Sequence, residues 1–198
     1  SGFVKRALVI GAEKMSAIVN YEDRATCPIF GDGAAGVLLE ATEEPYGLMD
    51  EILCSDGEGV KHLHQVAGGS VKPASHETVD AREHFIYQEG QAVFKWAVVK
   101  MAEATETILQ RNDLTSEDIS FLLPHQANMR IIKATGSRLG LDEDKVLINI
   151  EKYGNTTSAT IPMLMYENQN RFKKGDNLIL TSFGAGFTWG AIWLKWAI

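Results

Sequence analysis

His125 and Asn155 stand where short turns meet helical patterns, and both carry side chains that can serve a developing negative charge. His125 lies in Leu123-Pro124-His125-Gln126-Ala127-Asn128, where an apolar run ended by proline gives way to a helix. The positive end of that helix dipole disfavours imidazolium, which predicts a neutral ring. Asn155 lies in Tyr153-Gly154-Asn155-Thr156-Thr157-Ser158, and its amide NH2 is always a donor. Two neutral donors aimed at one oxygen form an oxyanion hole. Such a pair suits a thioester enolate, whose charge develops on the carbonyl oxygen. A third turn, Phe183-Gly184-Ala185-Gly186-Phe187, has glycines that let the backbone approach a ligand closely. Taken singly, the residues also fit structural roles, His125 as a satisfied histidine and Asn155 as a helix cap. The three turns together favour the functional reading.

Other reactive types carry less. His62 and His64 form a His-x-His pair, but two ligands are too few for a metal site and no Cys or carboxylate cluster stands nearby at ligand spacing. No metal is expected. His76 and His84 read as exposed. Cys27 and Cys54 are far apart and match no metal or redox spacing. Both are read as small buried hydrophobes. With no disulfide demanded, a reducing cytoplasm is the default compartment.

The elements that must position these residues alternate. Arg6 to Gly11 reads as a buried strand whose partners lie upstream, Ala35 to Ala41 as a second and Leu48 to Cys54 as a third. The latter two are placed to form a hairpin across Glu43-Glu44-Pro45-Tyr46. Residues 56–82 read as a long loop. From Ile86 to about Arg111, Phe94, Ala97, Val98, Met101, Thr105 and Ile108 recur at helical steps. Thr115-Ser116-Glu117-Asp118 is a capped turn. Phe121 to Pro124 is a buried strand, Ala127 to Leu139 a helix stopped by Gly140, and Val146 to Ile150 a short strand. Thr157 to Phe172 is a helix, and Leu178 to Ser182 and Thr188 to Trp196 are antiparallel strands. This order predicts an α/β layered fold, with His125 and Asn155 at strand ends, where such folds place their sites.

The bulk numbers exclude several classes. The chain has 198 residues and is 45% hydrophobic, ordinary for a globular domain. A net charge of −7 argues against general nucleic-acid binding. No apolar run is long enough to span a bilayer, so no membrane insertion is expected. No apolar stretch of signal-peptide type follows Ser1-Gly2-Phe3-Val4-Lys5-Arg6, and a start at Ser1 suggests trimming from something longer.

Four strings in order carry a family resemblance. They are Phe30-Gly31-Asp32-Gly33-Ala34, Pro124-His125-Gln126-Ala127-Asn128-Met129-Arg130-Ile131-Ile132, Tyr153 to Pro162, and Phe183-Gly184-Ala185-Gly186-Phe187-Thr188-Trp189-Gly190. The chain resembles β-ketoacyl-acyl-carrier-protein synthase III of the thiolase-like superfamily, over the later part of that family's length. The resemblance implies a layered α-β-α fold. Residues 1–55 would end its N-terminal half, and residues 56–198 would form a linking loop and the C-terminal half. It implies an acyltransferase that acylates a cysteine from acyl-CoA, then condenses the acyl group with malonyl-acyl carrier protein as CO2 leaves, initiating fatty-acid elongation. The acylated cysteine would lie upstream, so this chain alone should not condense.

Site roles follow from the resemblance residue by residue. His125 and Asn155 match the family's catalytic pair. Phe183 matches an apolar wall beside the nucleophile, and the backbone N–H of Ala185 completes the acyl oxyanion site. Arg24 and Ile29 match contacts to the adenine end of CoA, and Phe94 and Asn128 match the pantetheine tunnel. Taken alone, Arg24 reads as solvated and Phe94 as core. Arg130 and Lys133 share a helix face that by spacing alone fits a solvated surface as well as docking of the acidic carrier protein, and the resemblance favours docking at Arg130. No cofactor is implied, and a homodimer is. The rivals are a specialised synthase of secondary metabolism and a non-catalytic fragment that binds ligand or partner.

Overall fold

The structure, a computed structural model, describes residues 3–198. Ser1 and Gly2, which open the stretch inspected for a targeting signal, lie outside the described residues. The strands and helices run β1 (Arg6–Glu13), β2 (Gly33–Glu40), β3 (Gly47–Ser55), β4 (Leu63–Gln65), α1 (His76–Asp80), β5 (Ile86–Gln88), α2 (Gly90–Arg111) and β6 (Phe121–Pro124). They continue with α3 (Met129–Arg138), α4 (Ile150–Tyr153), α5 (Thr160–Asn168), β7 (Asn177–Gly184) and β8 (Thr188–Lys195).

The centre is a four-stranded sheet in the order β3-β8-β7-β6, with β6 and β7 parallel and the other pairs antiparallel. Side chains of β7 point alternately to its two faces. Ile179 packs with Ile108 and Leu109 of α2 and Ile132 of α3, whereas Leu178 and Leu180 pack with Leu164 and Met165 of α5. Leu122 and Leu123 of β6 divide between the same two clusters. Both faces of the sheet are therefore covered by helix, as a parallel strand pair requires. This is the α/β layered architecture expected. No helix among the described residues is long and apolar enough to cross a membrane.

The helical stripe was legible in the sequence. Ala97, Met101, Thr105 and Ile108 are buried along α2. The start differs: Ile86–Gln88 is extended and pairs with Leu63–Gln65, because Ile86 and Tyr87 suit a strand once β4 offers an edge. The segment from 56 to 82 is accordingly less of a loop than expected. It contains a 3-10 helix at Gly57–His62, then β4 and α1. The capped turn at Thr115–Asp118 is present, with the Thr115 N–H donating to Asp118 Oδ2.

Three expectations fail. The hairpin between β2 and β3 does not form, since β2 pairs with β1 from Gly33↔Glu13 to Glu40↔Arg6, and β3 pairs with β8. Arg111 at the end of α2 holds Asp50 through two guanidinium bonds of 2.8 and 3.1 Å, which pins β3 to the sheet beneath α2. No strand forms at Val146–Ile150. The Leu147 N–H reaches the Leu122 carbonyl at 3.0 Å, but Gln126 Oε1 then takes the N–H groups of Asn149 and Ile150 and turns the chain into α4. Finally, β1 is not buried: Leu8 is 64% and Ile10 62% exposed, and Leu38 of β2 is 62% exposed. The β1–β2 ribbon forms a separate two-stranded sheet.

Gly11 is where that ribbon meets the rest of the fold. A methyl group added there would lie 2.6 Å from the Ser158 carbonyl group. Only glycine lets β1 pass this close to the 3-10 turn at Thr157–Ala159.

Candidate active site

His125 directly follows β6, and its backbone N–H continues the ladder to the Thr181 carbonyl at 2.8 Å. The ring is 8% exposed. Its Nδ1 lies 2.6 Å from Thr160 Oγ1. Burial pushes the imidazole pKa down to about 4, so the ring is neutral near pH 7. The neutral state was expected but its cause was not: desolvation holds the proton off, and no helix-dipole contribution is needed.

That depression predicts a pH-dependent stability. An unfolded histidine titrates near 6.5, and the folded ring near 4. Between these values the unfolded chain takes up a proton that the folded chain refuses. His125 therefore lowers stability as pH falls from 6.5 toward 4, by roughly 3 kcal/mol in total. Chemical denaturation of the protein and of His125→Gln from pH 7 to pH 4 checks this. Parallel declines in the two would remove His125 as the cause.

Gln126 is fully buried and fully used. Its Nε2 donates to the Pro124 and Leu147 carbonyls, and its Oε1 accepts from Asn149 and Ile150. One side chain thus joins the loop carrying His125 to the segment leading to Asn155. Glu167 of α5 braces the same segment through Asn149, Lys152 and Tyr153. Burial pushes the Glu167 carboxyl up, but these hydrogen bonds outweigh it and keep the group below its ordinary range.

Asn155 follows Gly154, whose φ of +68° favours glycine. Its backbone N–H donates to the Ile29 carbonyl at 2.8 Å, and its carbonyl accepts from Gly31 at 3.0 Å. This clamp accounts for Gly31 in the Phe30-Gly31-Asp32-Gly33 string, whereas Asp32 accepts from Ser16. Gly31 has no room for a methyl group, because the Tyr153 carbonyl oxygen occupies the space. The Asn155 side chain is 7% exposed, and its Oδ1 accepts from the Thr157 N–H at 2.9 Å. This bond closes a local turn ahead of the 3-10 turn at Thr157–Ala159, whose N-cap is Thr156, so Asn155 is not a helix cap. With Oδ1 committed to the turn, Nδ2 is the end left to donate, and it has no partner among the described residues.

His125 and Asn155 converge on one turn. Thr157 N–H holds Asn155 Oδ1, and Thr160 Oγ1 holds His125 Nδ1. Thr160 Oγ1 also lies 2.9 Å from the Thr157 carbonyl. Thr157 itself has φ +47°, a left-handed conformation costly for a β-branched residue, and its Oγ1 is buried without a partner. Backbone strain of this kind concentrates at functional sites.

The other candidate residues fall into separate groups. Phe183 is buried at the end of β7, with its ring 4.7 Å from that of Phe187. Ala185 is exposed in the turn between β7 and β8. Phe94, Asn128 and Arg130 come together: Asn128 caps α3 by accepting the Arg130 N–H, and the Arg130 guanidinium lies 5.2 Å from the Phe94 ring centroid. Phe94 also packs against the cluster of Phe183 and Phe187. Lys133 is exposed one turn further along α3. Ile29 joins Asn155 through its backbone, whereas Arg24 is exposed and bonds none of these residues. A cleft of about 440 Å³ opens beside Asn20, Asp23, Arg82 and Tyr87, and neither His125 nor Asn155 lines it.

His62 pairs with Glu89 at 2.5 Å and stacks on Phe187, while His64 tilts against Tyr87. The described residues contain no group of three or more His, Cys, Asp or Glu able to hold a metal ion. His84 bonds Thr78 and is half-buried, unlike the exposed His76. Cys27 and Cys54 are free thiols and half-buried rather than fully so. Cys54 lies opposite Trp189 in the sheet. Sequence reasoning assigned no role to Thr160, Gln126 or Glu167. The partners that tie them to the site segments lie 14 to 35 positions away, so no local spacing marks them.

Known proteins resemble this chain in sequence and in fold. Residues 109–196 match the family described as 3-oxoacyl-acyl-carrier-protein (ACP) synthase III C terminal, and residues 1–57 match 3-oxoacyl-acyl-carrier-protein synthase III. The β-ketoacyl-acyl-carrier-protein synthase III of Porphyromonas gingivalis is 58% identical over 100% of this chain and 59% of its own length. The solved synthase III of Thermus thermophilus has a TM-score of 0.89 and 39% identity, covering 99% of this chain and 60% of that one. The priming β-ketosynthase of the R1128 polyketide pathway has a TM-score of 0.85 and 28% identity, covering 100% and 59%. The chain thus spans about three-fifths of the length of the curated relatives it matches. On fold, motif order and sequence identity, it belongs to the 3-oxoacyl-acyl-carrier-protein synthase III family of thiolase-like proteins.

Proposed function

We propose that this chain supplies the decarboxylation half of a condensing acyltransferase, which joins an acyl-CoA primer to malonyl-acyl carrier protein in the first step of fatty-acid elongation. The observation that carries the reading is the anchoring of two buried neutral groups, His125 and Asn155, on the single turn at residues 157–160.

In this mechanism the malonyl thioester oxygen receives hydrogen bonds from His125 and from Asn155 Nδ2. The bond to the carboxylate breaks, its electron pair enters the enolate, and CO2 leaves. Fixed donors in a site shielded from water stabilise the enolate without reorganising. The enolate carbon then attacks the acyl thioester carbonyl, and the cysteine thiolate departs. That cysteine is not assigned to Cys27 or Cys54. Phe183 provides an apolar wall that disfavours the substrate carboxylate and favours loss of CO2. The Ala185 N–H serves the acyl oxygen.

Ligand placement follows the same reading. Phe94 and Asn128 line the pantetheine path, Ile29 and Arg24 meet the adenine end of CoA, and Arg130 with Lys133 receives the acidic carrier protein. The nearness of the Arg130 guanidinium to the Phe94 ring supports reading the two as neighbouring parts of one carrier and pantetheine path. The enzyme works as a cytoplasmic homodimer with no cofactor. Likeness to a priming ketosynthase of a polyketide pathway supports a second reading, in which the chemistry is the same and the primer differs.

The test uses the full-length gene product with a panel of acyl-CoA primers and malonyl-acyl carrier protein. Release of CO2 with formation of β-ketoacyl-acyl carrier protein is expected. The set of primers accepted separates the fatty-acid reading from the polyketide one. No CO2 release with any primer would end both.

A further inference from the structure

Thr160 holds one proton between two acceptors. Its Oγ1 lies 2.6 Å from His125 Nδ1 and 2.9 Å from the Thr157 carbonyl. That carbonyl already receives the Thr160 backbone N–H. The hydroxyl proton can therefore turn to the imidazole without leaving the carbonyl unpaired. Thr160 is 3% exposed, so bulk water does not compete for it, and no other side chain among the described residues bonds the ring.

The direction of this bond decides what the ring offers the substrate. If Nδ1–H donates to Thr160, Nε2 presents a lone pair, which repels an oxyanion. If Thr160 donates to Nδ1, the ring proton sits on Nε2 and the ring becomes a donor. We propose that Thr160 is a positioning residue that donates to Nδ1 and so holds His125 as the Nε2–H tautomer. The proposal rests on the reading of His125 as a donor to the substrate oxygen.

The turn around Thr160 is built to hold that hydroxyl still. Thr157 accepts a left-handed φ of +47°, and in that conformation its N–H faces Asn155 Oδ1 while its carbonyl receives the Thr160 N–H. One strained residue thus registers both donors of the site. Single-residue strain of this kind persists only where the surroundings enforce it.

The experiment compares the full-length gene product with Thr160→Val and Thr160→Ser, using ¹⁵N-histidine NMR and malonyl-carrier-protein decarboxylation. The wild type and Thr160→Ser should show the Nε2–H signature for His125 and comparable rates. Thr160→Val should lose that signature and decarboxylate about 10- to 100-fold more slowly. An Nε2–H ring in Thr160→Val, at any rate, overturns the proposal, because the tautomer would then not depend on the hydroxyl. Failure of Thr160→Ser to restore the signature does the same. His125→Ala run in parallel separates the two readings: if it decarboxylates normally, the donor role of His125 falls, whereas the NMR signature still decides what Thr160 does to the ring.

Discussion

Replacing either His125 or Asn155 by alanine should slow malonyl-thioester decarboxylation by the full-length product about 100- to 1,000-fold. Loss of one oxyanion donor in a site shielded from water has that magnitude. The two changes should differ in their side effects. His125→Ala empties a buried position against Thr160, yet removes the group whose protonation destabilises the fold in acid. Asn155→Ala also deletes the bond that holds the Thr157 N–H. Asn155→Asp is the sharper probe, since the carboxylate keeps the acceptor for Thr157 but offers no donor to the substrate. It should be as inactive as Asn155→Ala while retaining more stability. CO2 release measured under single-turnover conditions checks the series, and wild-type rates in both alanine variants would refute the assigned roles.

The second large effect is steric. A methyl group at Gly31 would collide with the Tyr153 carbonyl oxygen, on the segment that leads into Asn155. Neither side can yield alone, because Gly31 donates to the Asn155 carbonyl and Ile29 accepts from the Asn155 N–H. Gly31→Ala should therefore cost about 1–3 kcal/mol through overpacking. It should also lower decarboxylation about 100-fold, as expected when a positioned group moves by an ångström. Gly57→Ala is the control, because an added methyl group there meets nothing within 4 Å. Equal melting temperatures and equal rates for the two variants would show that the clamp does not position Asn155.

What was legible in the sequence had a local cause. The stripe of α2 was readable because Ala97, Met101, Thr105 and Ile108 fall on one helical face. Strand β6 was readable because Pro124 ends an apolar run. His125 and Asn155 stood out as candidates because each sits inside a contiguous motif. Pairing was not legible: β2 and β3 are neighbours in sequence, but β1 and β8 are the better partners, and nothing within residues 41–46 reveals this. The missing strand at Val146–Ile150 has a similar origin, since a buried side chain from Gln126 takes the N–H groups that a ladder would use. The neutral ring of His125 was anticipated on the field of α3, whereas its burial, which only the folded chain creates, accounts for it. Thr160 escaped notice because its meaning depends on a ring 35 residues away.

The β1–β2 ribbon has a consequence for anyone handling the chain. Leu8, Val9 and Ile10 follow one another with more than half of each surface in water, and among the described residues no third strand pairs with the ribbon. Flat apolar strands with open edges recruit other strands edge to edge. For these 198 residues taken by themselves in concentrated solution, the ribbon is therefore the place where molecules would stick, and a charged substitution at Leu8 or Leu38 should improve their solubility while leaving the turn at Thr157–Ala159 intact.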